Sequence, residues 1–165
     1  YKQYNQLLDA CSEYIRDFVI MLYQTGARYN EVASLKHEHV SLEQKRIKFV
    51  DTKNGEDRTI PMNDVVLDIM KRYRFGQTVF NIKYDRFYDH FVSAKKKAGL
   101  EFFRAHDLRA CFCTNALLSG LSIPEVASLS GHKDWKMLKR YTRIKPEDLQ
   151  EKVNKIIWIN KESLG

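Results

Sequence analysis

Apolar residues recur at three- and four-residue intervals along most of this chain. Tyr4, Leu7, Leu8, Cys11 and the Tyr14-Ile15 pair begin the series and residues 18–23 continue it, which predicts one or two helices over residues 4–24. Thr25-Gly26 ends them, and Arg28 follows in a turn. A short helix is expected over residues 30–35, with Asn30 capping free backbone N–H groups and Val32 and Leu35 facing inward. The opening residue already lies in or beside a helical pattern, so the chain reads as a fragment of a longer one.

The period then changes. Residues 46–50 and 58–60 read as strands, and Asn54-Gly55 between them is a tight-turn signal because such a pair tolerates positive φ; Lys53 is therefore expected near a hairpin tip. Pro61 closes the strand region, and Val65, Val66, Ile69, Met70 and Tyr73 form the apolar stripe of the next helix. Val79-Phe80 looks strand-like. Phe87, Phe91, Ala94 and Ala98 mark another helix that Gly99 stops, with Lys95-Lys96-Lys97 at its end serving either the helix terminus or a phosphate.

The remainder reads as helical. His106 is expected at the cap or first position of a helix carrying Leu108, Cys111, Phe112 and Leu117, broken by Gly120. Pro124 sits in the first turn of a shorter helix that Gly131 ends just before His132. A further short helix from Asp134 carries Leu138 and Tyr141, and residues 147–159 are amphipathic through Leu149, Val153, Ile156 and Ile157. The fold class that follows is mainly α with a small antiparallel β-hairpin or sheet.

Composition narrows the partner. The 165 residues suit one domain. Lys plus Arg number 28 against 21 Asp plus Glu, a formal charge of +7, which favours a polyanion such as nucleic acid or an anionic membrane. No apolar run approaches the roughly 20 residues of a membrane span, no secretion signal opens the chain, and a soluble intracellular protein is expected. The three cysteines are odd in number and read as buried free thiols.

Four motifs fall in a telling order: Thr25-Gly26-Ala27-Arg28 with Glu31-Val32, His106-Asp107-Leu108-Arg109, Ser130-Gly131-His132, and Tyr141 nine residues after His132. In these residues the chain resembles the tyrosine recombinases, the family of phage integrases and Xer-type enzymes, over the whole of their catalytic domain. The resemblance implies that residues 1–165 are the catalytic domain of a site-specific recombinase, without the N-terminal DNA-binding portions of such enzymes. Two positions depart from the family's pattern: Ala110 stands where many relatives carry histidine, and Ser130 where leucine usually precedes Gly131-His132. Neither is assigned proton or phosphate chemistry. With Ile123-Pro124-Glu125-Val126 and Lys133-Asp134-Trp135, they place the chain nearer prophage-type integrases than the Xer subgroup. Trp135 itself is expected to pack against the core or a neighbour.

The chemistry of phosphodiester cleavage calls for the same residue types. Negative charge grows on the nonbridging oxygens, and two guanidiniums, Arg28 and Arg109, meet it with fixed donors. His106 and Arg109, one turn apart at a helix start, can face one phosphate. His132 can donate to a phosphate oxygen or move a proton. Each of these groups taken singly also has an ordinary reading, as a surface ion pair or a helix cap. Tyr141 is the nucleophile; a phenol has a pKa of about 10 and needs a cationic site or a base. Lys53 matches the lysine that the family carries on its hairpin, where an ammonium can protonate the leaving 5′-oxygen, although a solvated turn residue or a simple phosphate contact also fits.

The family's reaction passes through a 3′-phosphotyrosyl link that stores the bond energy, so no cofactor and no metal are expected. The implied partners are double-stranded DNA and three further copies of the chain in a homotetramer on paired recombination sites. The C-terminal helix would dock on a neighbouring protomer or fold back on its own domain, accessory DNA-bending proteins would fit the same assembly, and no membrane is involved. The implied location is cytoplasmic, at a bacterial nucleoid or in a phage-infected cell, and the role is integration or excision of a phage or other mobile element. Two rivals share these features: a DNA-binding module without catalysis and a type IB-like topoisomerase.

Overall fold

A computed structural model describes residues 2–50 and 57–141, with side chains as far as Leu138. The helical opening is two helices, α1 (Lys2–Ala10) and α2 (Glu13–Thr25), divided at Ser12, whose backbone is extended and whose Oγ lies 2.8 Å from His90 Nδ1. Helix α2 is the axis of the domain. Ile15, Phe18, Val19 and Met21 are fully buried on it, each such side chain stabilising the fold by roughly 1.5–3 kcal/mol. It packs against α1, α3 (Tyr29–Ala33), α4 (Asp64–Arg72), α5 (Tyr84–Lys97) and α6 (Ala105–Leu118).

Gly26 ends α2 in the left-handed region with φ +63°, its N–H donating to Leu22 O. A Cβ there would sit 2.3 Å from the Phe112 ring, so only glycine allows both this turn and the close approach of α6. The next helix starts earlier than the sequence suggested. Arg28, rather than Asn30, is the residue that caps α3, because the Glu31 carboxylate reaches back to accept from the Arg28 N–H.

The expected hairpin is present as β2 (Arg46–Phe49) and β3 (Arg58–Pro61), paired antiparallel with Ile47 opposite Ile60. Ile47, Phe49 and Ile60 point into the core while Arg46 and Lys48 point to solvent, the alternation of a half-buried sheet. A third strand, β1 (Val40–Ser41), pairs with β2; two residues are too few to show a period-2 pattern. Val79-Phe80 forms no strand. The pair is buried in a loop, with the Val79 N–H bonded to Leu35 O at 2.7 Å, so burial rather than sheet pairing explains its apolar character.

Asn63 caps α4 through Val66 N–H, and Lys95, Lys96 and Lys97 occupy the last turn of α5. Helix α7 (Ile123–Ser130) carries Pro124 in its first turn and ends at Gly131 with φ +73°. The 3-10 segment Trp135–Tyr141 closes the described chain. Two cores result. Leu108 on α6 belongs to the main one, whereas Cys113, one turn and a little further on, joins Val126, Ala127 and Leu138 in a smaller one beneath α7. Helix α6 is thus the beam between them. Cys11 and Cys113 are buried free thiols and Cys111 is half-buried. Among the described residues no helix is long and apolar enough to cross a membrane. Lys53 and the amphipathic 147–159 segment lie outside the described residues.

Candidate active site

Two clusters, from opposite ends of the sequence, meet at the C-terminus of α7. The first is built around Arg28. Its backbone is extended after the Gly26 turn, and its Nη1 lies 3.2 Å from the Glu31 Oε1 one turn into α3. Its Nη2 donates to Gly131 O at 3.1 Å, a bond that joins residues 103 apart in sequence. Glu31 is only 6% exposed and is shared: Arg58 on β3 donates from both terminal nitrogens to its two oxygens, one at 3.0 Å and one in very close contact. Arg58 also donates from Nε to Leu129 O at 2.9 Å and lies over the Phe49 ring. Burial alone would raise the Glu31 carboxyl pKa, but the Arg58 hydrogen bond, with help from Arg28, outweighs it and holds the group below its ordinary value.

The second cluster is built around Arg109. Helix α6 begins at Ala105, with the Asp107 carboxylate accepting from the Arg104 N–H, so His106 is its second residue rather than its cap or first. Arg109, one turn after His106, is 3% exposed. Its Nη1 donates to Gly26 O at 2.7 Å and, in close contact, to Ser130 O. Its Nη2 meets His132 Nδ1 at 3.1 Å. The guanidinium therefore clamps the end of α2 to the end of α7. Burial, and then the positive charge of Arg28, lower its pKa to about 10. An anion placed between the two arginines would relieve that cost. His106 is also lowered, by burial first and the Arg109 charge second, so its imidazole is neutral at neutral pH.

Two cavities flank Arg28. One, of about 330 Å³, is lined by Arg28, Arg58, His132, Lys133 and Trp135 among others. The other, of about 290 Å³, is lined by Arg28, Tyr84, His106 and Arg109 among others. The expected residues Arg28, His106, Arg109 and His132 are thus gathered about one surface. The backbone of Tyr141 ends the 3-10 segment that packs on α6 and α7, and its side chain lies outside those described. Lys53 belongs to the connection between Phe49 and Arg58, the last pair of the ladder before the turn. Of the two partners expected for Trp135, the core is excluded: the side chain is 55% exposed beside His132.

Three residues of the cluster carried no role in the sequence reading. Glu31 had a legible signal in its place three residues after an arginine. Arg58 had none beyond a basic position in a strand. Ser130 stood out only as a departure from leucine, yet its Oγ lies 2.7 Å from His132 Nδ1.

Residues 1–148 match the family model described as the phage integrase family. The chain is 33% identical over 153 residues to tyrosine recombinase XerA of Saccharolobus solfataricus, covering 90% of this chain and 52% of that protein. It is 28% identical over 139 residues to the integrase of Escherichia phage P2, covering 84% of this chain and 40% of that one. It therefore spans about half the length of the curated relatives it matches, and these include both Xer-type and phage enzymes. Among solved structures, the catalytic domain of bacteriophage HP1 integrase superposes with a TM-score of 0.77 at 25% identity, covering 94% of this chain and 92% of that one. XerH site-specific recombinase bound to its difH substrate superposes with a TM-score of 0.70 at 19% identity, covering 94% of this chain and 53% of that one. With these matches and its mixed helical and three-stranded architecture, the chain belongs to the phage integrase family and has the catalytic-domain fold of the tyrosine recombinases.

Proposed function

We propose that this domain cleaves and rejoins DNA by phosphoryl transfer through Tyr141. The observation that carries the reading is the junction at Gly131, where Arg28 donates to Gly131 O and Arg109 to Ser130 O and meets the His132 ring, although these motifs lie far apart in the chain. In this reading Arg28 and Arg109 hold the nonbridging oxygens of a DNA phosphate. The Tyr141 oxygen forms a bond to phosphorus as the bond to the 5′-oxygen breaks. The phenolic proton passes to the neutral His106 imidazole, His132 donates to the phosphate, and Lys53 protonates the departing 5′-oxygen. Rejoining runs the same steps backward with a 5′-hydroxyl from the partner duplex, so the bond energy stays in the phosphotyrosyl link.

The biological role we infer is integration or excision of a mobile element, by a tetramer on paired sites. The similarity to phage integrases and the Lys133-Asp134-Trp135 segment support it. The +7 charge supports a DNA partner, with binding that weakens steeply as salt rises.

The test is incubation of the full-length enzyme with nicked duplex carrying its own recombination site, then denaturation and mapping of the attached residue. An adduct on Tyr141, lost in Tyr141→Phe while noncovalent binding persists, is expected. An adduct on another residue, or undiminished adduct in that variant, overturns the assignment. Binding with no adduct at all favours a DNA-binding module, and relaxation of plasmids lacking the site favours topoisomerase activity.

A further inference from the structure

The cavity between α3, α5 and α6 brings to the arginine clamp a residue that no motif marked. Arg28, His106 and Arg109 line this space of about 290 Å³, and Tyr84, the first residue of α5, lines it with them.

Tyr84 is 60% exposed, yet its ring is held. Tyr29, the residue after Arg28, meets it edge-on, with ring centroids 5.2 Å apart and planes at 90°. Tyr88, one turn along α5, stacks against it at 6.3 Å. The ring therefore rests on the backbone neighbour of the clamp arginine, so one short stretch of chain places both side chains. Among the described residues the Tyr84 hydroxyl has no hydrogen-bond partner. An aromatic already fixed by packing, with its donor unused, loses little further freedom when a ligand arrives.

The chemistry of that ligand follows from the clamp. A DNA strand whose phosphate sits between Arg28 and Arg109 continues from it in two directions, and two cavities flank Arg28: one toward Arg58 and Trp135, the other toward Tyr84. In a duplex the bases turn inward to their pairing partners, whereas the phosphates stand outside and offer acceptor oxygens to surface hydroxyls. A phenol gives such an oxygen one hydrogen bond and adds no charge. It therefore places the strand by geometry, where the arginines attract it by charge.

We propose that Tyr84 is a DNA-binding residue whose hydroxyl donates to a nonbridging oxygen of the phosphate next to the one held by Arg28 and Arg109. The contact holds the path of the strand on the α5 side of the clamp. This rests on the reading of the clamp as a phosphoryl-transfer site.

The experiment measures binding of the full-length enzyme to duplexes carrying its own recombination site. Each duplex has methylphosphonate at one phosphate around the cleavage position, as separated diastereomers, so that one nonbridging oxygen and the charge are removed at a time. Tyr84→Phe keeps the ring and removes only the hydroxyl, and on unmodified DNA its dissociation constant should rise about five- to tenfold. With methylphosphonate at one neighbour of the cleaved phosphate, in the diastereomer that lacks the accepting oxygen, wild type and variant should bind alike. At every other position the difference should persist. A change under about twofold on unmodified DNA, a difference that persists at every methylphosphonate, or one that vanishes only at a phosphate not adjacent to the cleaved one overturns the proposal. If the variant melts lower, the comparison between substrates on that same variant still decides. Wild-type binding without a Tyr141 adduct would end the catalytic reading, while a difference that vanishes at one phosphate would still establish the Tyr84 contact. An adduct on Tyr141 with no such phosphate ends this inference alone.

Discussion

The two arginine clusters do similar structural work with different kinds of partner. Around Arg28 one carboxylate serves two guanidiniums: Glu31 lies between Arg28 and Arg58 and binds both. Around Arg109 the partners are Gly26 O, Ser130 O and the His132 ring, and among the described residues no carboxylate is hydrogen-bonded to it. Carbonyl dipoles position a guanidinium without cancelling its charge, whereas a carboxylate does both. Glu31 thus ties Arg28 and Arg58 into the fold, whereas Arg109 is held by uncharged partners, and burial lowers its pKa.

The sharpest break of this contrast is Glu31→Gln. It leaves Arg58, whose side chain is 12% exposed, without its counter-charge, and unfolding by urea should show a loss of about 3–5 kcal/mol. A loss under about 1 kcal/mol would mean that the pair is as dispensable as a surface ion pair.

Arg109→Lys tests the other cluster. An ammonium keeps the charge but cannot meet two carbonyls, an imidazole and a phosphate with a fixed fork, so single-turnover formation of the covalent DNA adduct should fall about 10²–10³-fold. Noncovalent DNA binding should change far less. A fall below about tenfold would show that charge alone suffices there.

The smallest effect separates the clusters by pH. His106 has its pKa lowered from 6.5, so the unfolded chain binds the proton more readily. Its contribution to stability is complete above pH 6.5 and is lost as pH falls toward the folded-state value. Glu31 is lowered from 4.5, so its contribution is present above that pH and is lost further down, as pH falls through the folded-state value. Melting curves across pH should show His106→Gln removing the upper slope and Glu31→Gln the lower one. A single variant that flattens both windows would merge what the structure separates.

Much of this site was legible in local spacing. His106 and Arg109 share a helix face because they are three residues apart, and the glycines at 26 and 131 mark helix ends because each takes positive φ. Arg58 was not legible, since nothing in a strand's alternation says which distant carboxylate a basic residue will find. Sequence alone left Trp135 a choice between the core and a neighbouring protomer, and its exposure beside His132 removes the core. The short β1 strand and the buried Val79-Phe80 loop were missed for a related reason: both are defined by their neighbours rather than by any repeat of their own.

The sequence alone thus determined the helices, the hairpin, the order of the motifs and the residue types fit for phosphate chemistry, because these depend on short-range periodicity and intrinsic side-chain chemistry. The tertiary structure decided which carbonyls orient Arg109, that Arg58 shares the Glu31 carboxylate with Arg28, and that Ser130 touches the His132 ring. The longest of those contacts, Arg109 to Gly26 O, joins residues 83 apart, and it exists only because burial along α2 and α6 fixes where the ends of those helices meet.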